Sequence, residues 1–190
     1  MKIYIVRHGQ DDNTVRGGWS DTPLTALGVQ QSILLADDLL YNQYKYNIGK
    51  IYSSDLKRAK QTAEIISDKL HLSIEYIPDF REVNNGELAG IDNRLAEEKY
   101  PNLFWRKLGW NEHYPSGESP AEFYKRISSV WNKFVYENLN YNKNIILVTH
   151  SGVINVIKCI VENKVYSNKN NYYGIECAKI SLEIEINKMF

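Results

Sequence analysis

Cysteine is nearly absent: Cys159 and Cys177 are the only two in 190 residues. Two are too few for a disulfide scaffold and leave room for at most one bridge, which fits a reducing compartment, so a cytoplasmic location is expected. No run approaches the roughly 20 apolar residues of a membrane-spanning helix, and the chain opens on a strand-like stretch rather than on a signal-type segment. Neither sign of charge is in excess. With 23 basic and 23 acidic residues, no overall field draws the chain to nucleic acid or to an anionic membrane, and any bound anion must be captured locally. The chain has no G-x-x-x-x-G-K, which argues against P-loop nucleotide hydrolysis. It has no His or Cys pair at short ligand spacing, which argues against zinc and leaves the two cysteines as small apolar fillers.

What is present is an ordinary globular composition, 43% hydrophobic and 24% charged, in a length that suits one sizeable core and hence a single domain over residues 1–190. Short apolar or β-branched runs predict strands over Lys2–Val6, Lys50–Ser53, Ser73–Ile77 and Asn144–Thr149. Helical spacing marks Thr25–Gln43, with Leu27, Ile33, Leu34, Leu35, Leu39 and Leu40, and Leu56–Leu70, with Ala59, Ala63, Ile66 and Leu70; each should lay an apolar stripe on a sheet. Ser119–Leu139 reads as a long amphipathic helix with a serine cap and a first-turn proline, and a fourth helix should begin near Gly152. Strand–helix alternation implies βαβ units and an α/β sandwich with a mostly parallel sheet. Alternating Ile180, Leu182, Ile184 and Ile186 predict one antiparallel edge strand over Lys179–Ile186. Ile91–Ser116, with Pro101, Pro115, Phe104, Trp105 and Trp110, reads as a partly helical excursion.

In open parallel sheets ligands bind outside the carboxyl ends of the strands, where the following helices aim their N-termini. The reactive candidates fall there: Arg7 and His8 after the first strand, Ser53, Ser54 and Arg58 after the second, Arg81 and Glu82 after the third, His150, Ser151 and Gly152 after the fourth. Two arginines, two imidazoles and a helix N-terminus make a pocket for a dianion, most naturally a phosphoryl group, because the guanidinium fork matches phosphate oxygens. An imidazole held at Nδ1 by a backbone carbonyl keeps a nucleophilic lone pair on Nε2. Glu82 supplies the proton that the leaving alkoxide needs and later takes one from the attacking water. No metal or other cofactor is required by this chemistry. His71 and His113 lie in no such pattern and read as structural.

These residues carry a resemblance to the histidine phosphatase superfamily, the phosphoglycerate mutase-like family. Arg7-His8-Gly9, "DTPLTALG" (Asp21–Gly28), "YSSDLKRAKQTAEII" (Tyr52–Ile66), "REVNNGELAG" (Arg81–Gly90), "PSGES" (Pro115–Ser119) and "LVTHSG" (Leu147–Gly152) are similar to its ordered motifs across most of the chain. The resemblance implies a three-layer α/β/α sandwich. It implies that His8 is the phosphorylated nucleophile, that Arg7, Arg58 and His150 clamp the phosphate, and that Glu82 is the general acid. Gln10, Asn13, Ser151 and Trp19 are further candidate substrate contacts. The chain departs from the pattern at Asp11, where many members carry Thr or Ser. Asp11 and Asp12 would repel phosphate if they faced the pocket, and are expected to point outward or to meet a cationic part of the substrate.

Three activities fit the resemblance. A cofactor-dependent mutase needs additional basic residues and a longer insertion after the acidic loop, whereas "GELAGIDNRLAEEKYPN" is short and acidic, which favours a phosphatase. An inactive phosphate-binding module is disfavoured because all five matched residues are present. The excursion over about 91–116 is expected to roof the pocket, with Trp19, Phe104, Trp105 and Trp110 as candidate walls or as core. The expected partner is a small-molecule phosphate ester, with no nucleic acid and no membrane; the substrate within that class and the oligomeric state are left open.

Overall fold

The computed structural model describes residues 1–170 and 175–186. Five strands, β1 (Lys2–Arg7), β2 (Ile48–Ser53), β3 (Ile74–Tyr76), β4 (Asn144–Thr149) and β5 (Ile180–Glu185), form one sheet in the order β3-β2-β4-β1-β5. All pairings are parallel except β1 with β5, which is antiparallel. The side-chain period of two divides the central strands between two cores. Ile3, Ile5, Ile145 and Leu147 face the helices α5 (Pro120–Asn138) and α6 (Ser151–Val161), while Tyr4, Val6, Ile146 and Val148 face α1 (Ala26–Tyr41) and α3 (Lys57–Leu70). Near-continuous apolar strands are thereby explained: both faces are covered. Two short α-helices, α2 (Gln43–Tyr46) and α4 (Asn93–Lys99), and three single turns of 3-10 helix, Pro78–Phe80, Gly86–Leu88 and Trp105–Lys107, complete the described elements; α4 and the last of these turns are the helical parts of the 91–116 excursion.

The expected elements are all found, and side-chain caps mark the starts of α1 and α5. Thr25 accepts from the Gly28 amide to start α1, and Ser119 and Glu122 form a reciprocal capping box at the start of α5, ahead of Pro120. The stripe expected on α1 is wrong in part. Leu35 and Leu39 are buried, but Leu27, Ile33, Leu34 and Leu40 are exposed, Leu34 to 69%. Small residues take the inner face instead: Gly28, Ser32 and Ala36, four apart, lie on the buried side of α1, opposite Ala59, Thr62 and Ala63 of α3. Ser32 bridges the two helices by donating to Gly28 O at 2.8 Å and Thr62 Oγ1 at 3.3 Å. The same close approach explains two motif glycines, since a Cβ on Gly9 would stand 2.4 Å from Gly28 O, and one on Gly28 would stand 2.1 Å from Gln10 O.

Among the described residues no helix is long and apolar enough to cross a membrane. Cys159 is buried, Cys177 half-buried, and both are free thiols.

Candidate active site

The register of β1 against β4 pairs Arg7 with Thr149, so His8 and His150 leave the sheet at the same level. His8 N donates to Thr149 O at 3.0 Å and Ser54 N to Val148 O at 3.0 Å, which ties three strand ends together. Residues 142 positions apart thus meet, with imidazole centroids 5.0 Å apart. His8 is 4% exposed and His150 fully buried. His8 Nδ1 lies 2.7 Å from Gly9 O, and Arg58 Nε donates to His8 Nε2 at 3.2 Å. Together these contacts select the neutral tautomer with its lone pair on Nε2. Burial first, then the cationic Arg58 and Arg7, push the His8 pKa well below the usual imidazole range, and burial with the same neighbours does so for His150.

Arg58, on the first turn of α3, is buried to 2% exposure and its fork is fixed by backbone: Nη1 donates to Ser20 O at 3.1 Å and Nη2 to Gly18 O at 2.7 Å. Arg7 donates from Nη1 to Ile175 O at 3.0 Å. His150 Nε2 lies 2.8 Å from Ser54 Oγ. Two buried nitrogens beside this group, Arg7 Nε and His150 Nδ1, have no hydrogen-bond partner among the described residues. Unsatisfied buried polar atoms are costly, and a pair of them next to a buried imidazole points to an anionic ligand that completes the set.

Glu82 reaches the same place from the loop after β3. Its Oε2 accepts from the Gly152 amide at 3.0 Å, and Ser151 Oγ lies 3.5 Å away. A Cβ on Gly152 would stand 2.2 Å from Glu82 Oε1, so glycine there leaves room for the carboxyl group against the N-terminus of α6.

A sequence profile of the histidine phosphatase superfamily (branch 1) matches residues 3–187. The chain belongs to that superfamily. It is 32% identical over 165 residues to a protein of Hydrogenobacter thermophilus provisionally named phosphoserine phosphatase 2, covering 84% of this chain and 78% of that one. It is 39% identical over 136 residues to a protein of Yersinia pestis provisionally named a phosphoglycerate mutase, covering 67% of this chain and 60% of that one. Among solved structures it is similar to the mycobacterial glucosyl-3-phosphoglycerate phosphatase in complex with VO3, at 25% identity and a TM-score of 0.75, covering 93% of this chain and 88% of that chain.

Within this histidine phosphatase a cavity of about 420 Å³ borders Arg7, Glu82 and Ser151, with Trp105, Arg106, Phe123, Asn155 and Tyr166 among its walls. Of the four aromatic candidates only Trp105 lines it. Trp19 donates from its indole to Glu82 O at 2.7 Å and lies under the Arg81 guanidinium, 4.9 Å from the ring centroid, so it braces the acid loop. Phe104 packs against Arg16, and Trp110 against Tyr124 and Tyr166. Gln10 does not face this cavity. It lines a separate one of about 610 Å³ beside α1 and β5, where Thr25 Oγ1 donates to its Oε1 at 3.1 Å, because Gln10 and Thr25 are already joined through their backbones. Asn13 is exposed, and its carbonyl accepts from Asn93 Nδ2 at 2.8 Å.

The two aspartates divide. Asp12 faces solvent and caps the Thr14 amide at 2.8 Å, whereas Asp11 turns inward, with Oδ2 3.3 Å from Arg58 Nε. The outward orientation expected for Asp11 is therefore wrong, because a buried guanidinium is the nearest cation available to it.

Three contributors were not foreseen as site residues. Ser54, noted only for its place at a strand end, fixes His150. Arg126 grips the acid loop, donating to Asp79 O, Arg81 O and Glu82 O while paired with the Glu118 carboxylate. Asn168 joins the segment after α6 to the 91–116 excursion by donating to Trp105 O and Leu108 O. Glu118 within "PSGES" and Arg126 eight residues on were a readable signal; the irregular segment holding Asn168 offered none. Among the described residues no His, Cys, Asp and Glu cluster is placed to hold a metal ion.

Proposed function

We propose that this histidine phosphatase is a metal-independent phosphatase that hydrolyses small-molecule phosphomonoesters through a phosphohistidine on His8. The observation that carries this reading is the buried neutral His8, tied at Nδ1 to Gly9 O and flanked by two unpartnered buried nitrogens, Arg7 Nε and His150 Nδ1. With the Ser54 hydroxyl donating to His150 Nε2, His150 presents Nδ1–H to a phosphoryl oxygen, and Arg7 presents Nε–H to another. His8 Nε2 then attacks phosphorus, the P–O ester bond breaks, and Glu82 gives the leaving oxygen its proton. In the second half Glu82 takes a proton from water, the hydroxyl attacks phosphorus, and the P–N bond breaks to release phosphate and free His8.

The Yersinia relative's name favours a second reading, a mutase that passes the phosphoryl group to another hydroxyl. Against it, the cations lining the cavity are Arg7 and Arg106, few for holding a bisphosphate. The phosphatase names among relatives support hydrolysis, and the 91–116 excursion serves on this reading as a partial roof through Trp105 and Arg106. The test is hydrolysis of an aryl phosphate by purified protein with a chelator present. Turnover by the wild type and none by His8→Ala is expected, whereas turnover restored only by a divalent metal contradicts the mechanism. Transfer between positions of phosphoglycerate at a rate exceeding hydrolysis would establish the mutase.

A further inference from the structure

The hydrolytic steps make no use of Asp11, yet its carboxylate lies against the clamp. Asp11 Oδ2 is 3.3 Å from Arg58 Nε, the same nitrogen that donates to His8 Nε2 at 3.2 Å, and the Asp11 side chain is 18% exposed. Its place is fixed by a backbone bridge to Leu24 and by Thr22 Oγ1, which donates to Oδ2 at 3.4 Å. Orientation of Arg58 does not depend on it, since Gly18 O and Ser20 O already hold both terminal nitrogens. What Asp11 adds is charge. A carboxylate in contact with one of two arginines offsets half of their positive charge just where a phosphoryl dianion is to bind, and a carboxylate about 6 Å from a dianion weakens its binding by on the order of tenfold even at the dielectric of water, about 80, and by more at a lower one.

We propose that Asp11 is an internal counter-ion of the phosphate clamp: it neutralises Arg58 in the resting site and weakens the hold on free phosphate, so that the product leaves readily. This rests on the reading of the site as a phosphate site. It makes Asp11 a residue that tunes affinity through Arg58 rather than a catalytic group. A residue that merely supports Arg58 would lose phosphate binding when replaced; a counter-ion gains it.

The test is equilibrium titration of the full chain with inorganic phosphate, and separately with vanadate, for the wild type, Asp11→Asn, Asp11→Ser and the charge-conserving Asp11→Glu. Turnover of an aryl phosphate is measured on the same preparations, and thermal melting checks the fold. Phosphate should bind at least about tenfold tighter to the Asn and Ser variants, with vanadate tightening and KM falling likewise, while Asp11→Glu stays near the wild type. Unchanged or weaker binding in the Asn or Ser variant that melts like the wild type overturns the proposal. Tighter binding without turnover in any protein would overturn the phosphatase reading and leave the counter-ion standing. Turnover with unaltered phosphate affinity does the reverse, and neither turnover nor binding of phosphate or vanadate by any of the four proteins removes both.

Discussion

At the scale of single residues, the site is built from side chains whose polar atoms are nearly all committed. His8 is held at both ring nitrogens, Arg58 by two backbone carbonyls, and Glu82 by the Gly152 amide. Such groups cost little reorganisation when charge develops, which is where electrostatic catalysis draws its advantage, the exception being the Arg58 Nε hydrogen bond that His8 Nε2 gives up on attack. Glu82→Gln separates position from chemistry: the amide oxygen can still accept from Gly152 N, but an amide cannot supply a proton. Alkyl phosphates, whose leaving oxygens need that proton, should lose about 10²–10⁴ in kcat, and activated aryl phosphates far less. Steady-state rates on a series of leaving groups check this, and an equal loss across the series contradicts the role of Glu82.

At the scale of elements, the strands were legible because β1 and β4 are covered on both faces and so read as unbroken apolar runs ending in reactive residues. The long helix α5 was legible from its cap, its proline and its buried Phe123, Ile127, Val130, Phe134 and Val135. Helix α1 misled because leucine count was taken for an inner stripe, whereas contact with α3 selects small residues, and the close approach of Gly9 to Gly28 fixes which side faces in. That His8, Arg7, Arg58, His150 and Glu82 would come together was legible through a parallel topology that sends the strand-end loops to one edge; the roles proposed for them rest on that meeting. Asp11, Gln10, Asn13 and three of the four aromatic candidates were not, because their directions are set by partners distant in sequence: Arg58, Thr25, Asn93, Glu82, Arg16 and Tyr166.

At the scale of the whole molecule, burying two neutral histidines beside two arginines couples folding to pH. Both native pKa values lie well below about 6.5, while in the unfolded chain the imidazoles titrate near that value. Below about pH 6.5 the unfolded state therefore binds protons that the native state does not, and stability falls as pH falls. The slope approaches about 1.4 kcal/mol per pH unit for each histidine. Above about pH 7.5 the pair contributes no pH dependence. Urea unfolding in phosphate-free buffer between pH 5 and 7.5 should show this decline, and His150→Gln should remove about half of the histidine contribution. A flat profile across that range would mean that the pair is not buried in neutral form.

On the mechanism proposed above, the whole arrangement, from strand order to side-chain tautomer, lets His8 Nε2 take phosphorus covalently. The direct measurement is to quench a reaction with a ³²P-labelled phosphomonoester within a single turnover and map the labelled peptide. The account predicts an acid-labile, alkali-stable phosphoramidate on His8, absent from His8→Ala. Label on another residue, or a burst of product with no protein-bound phosphate, would contradict it.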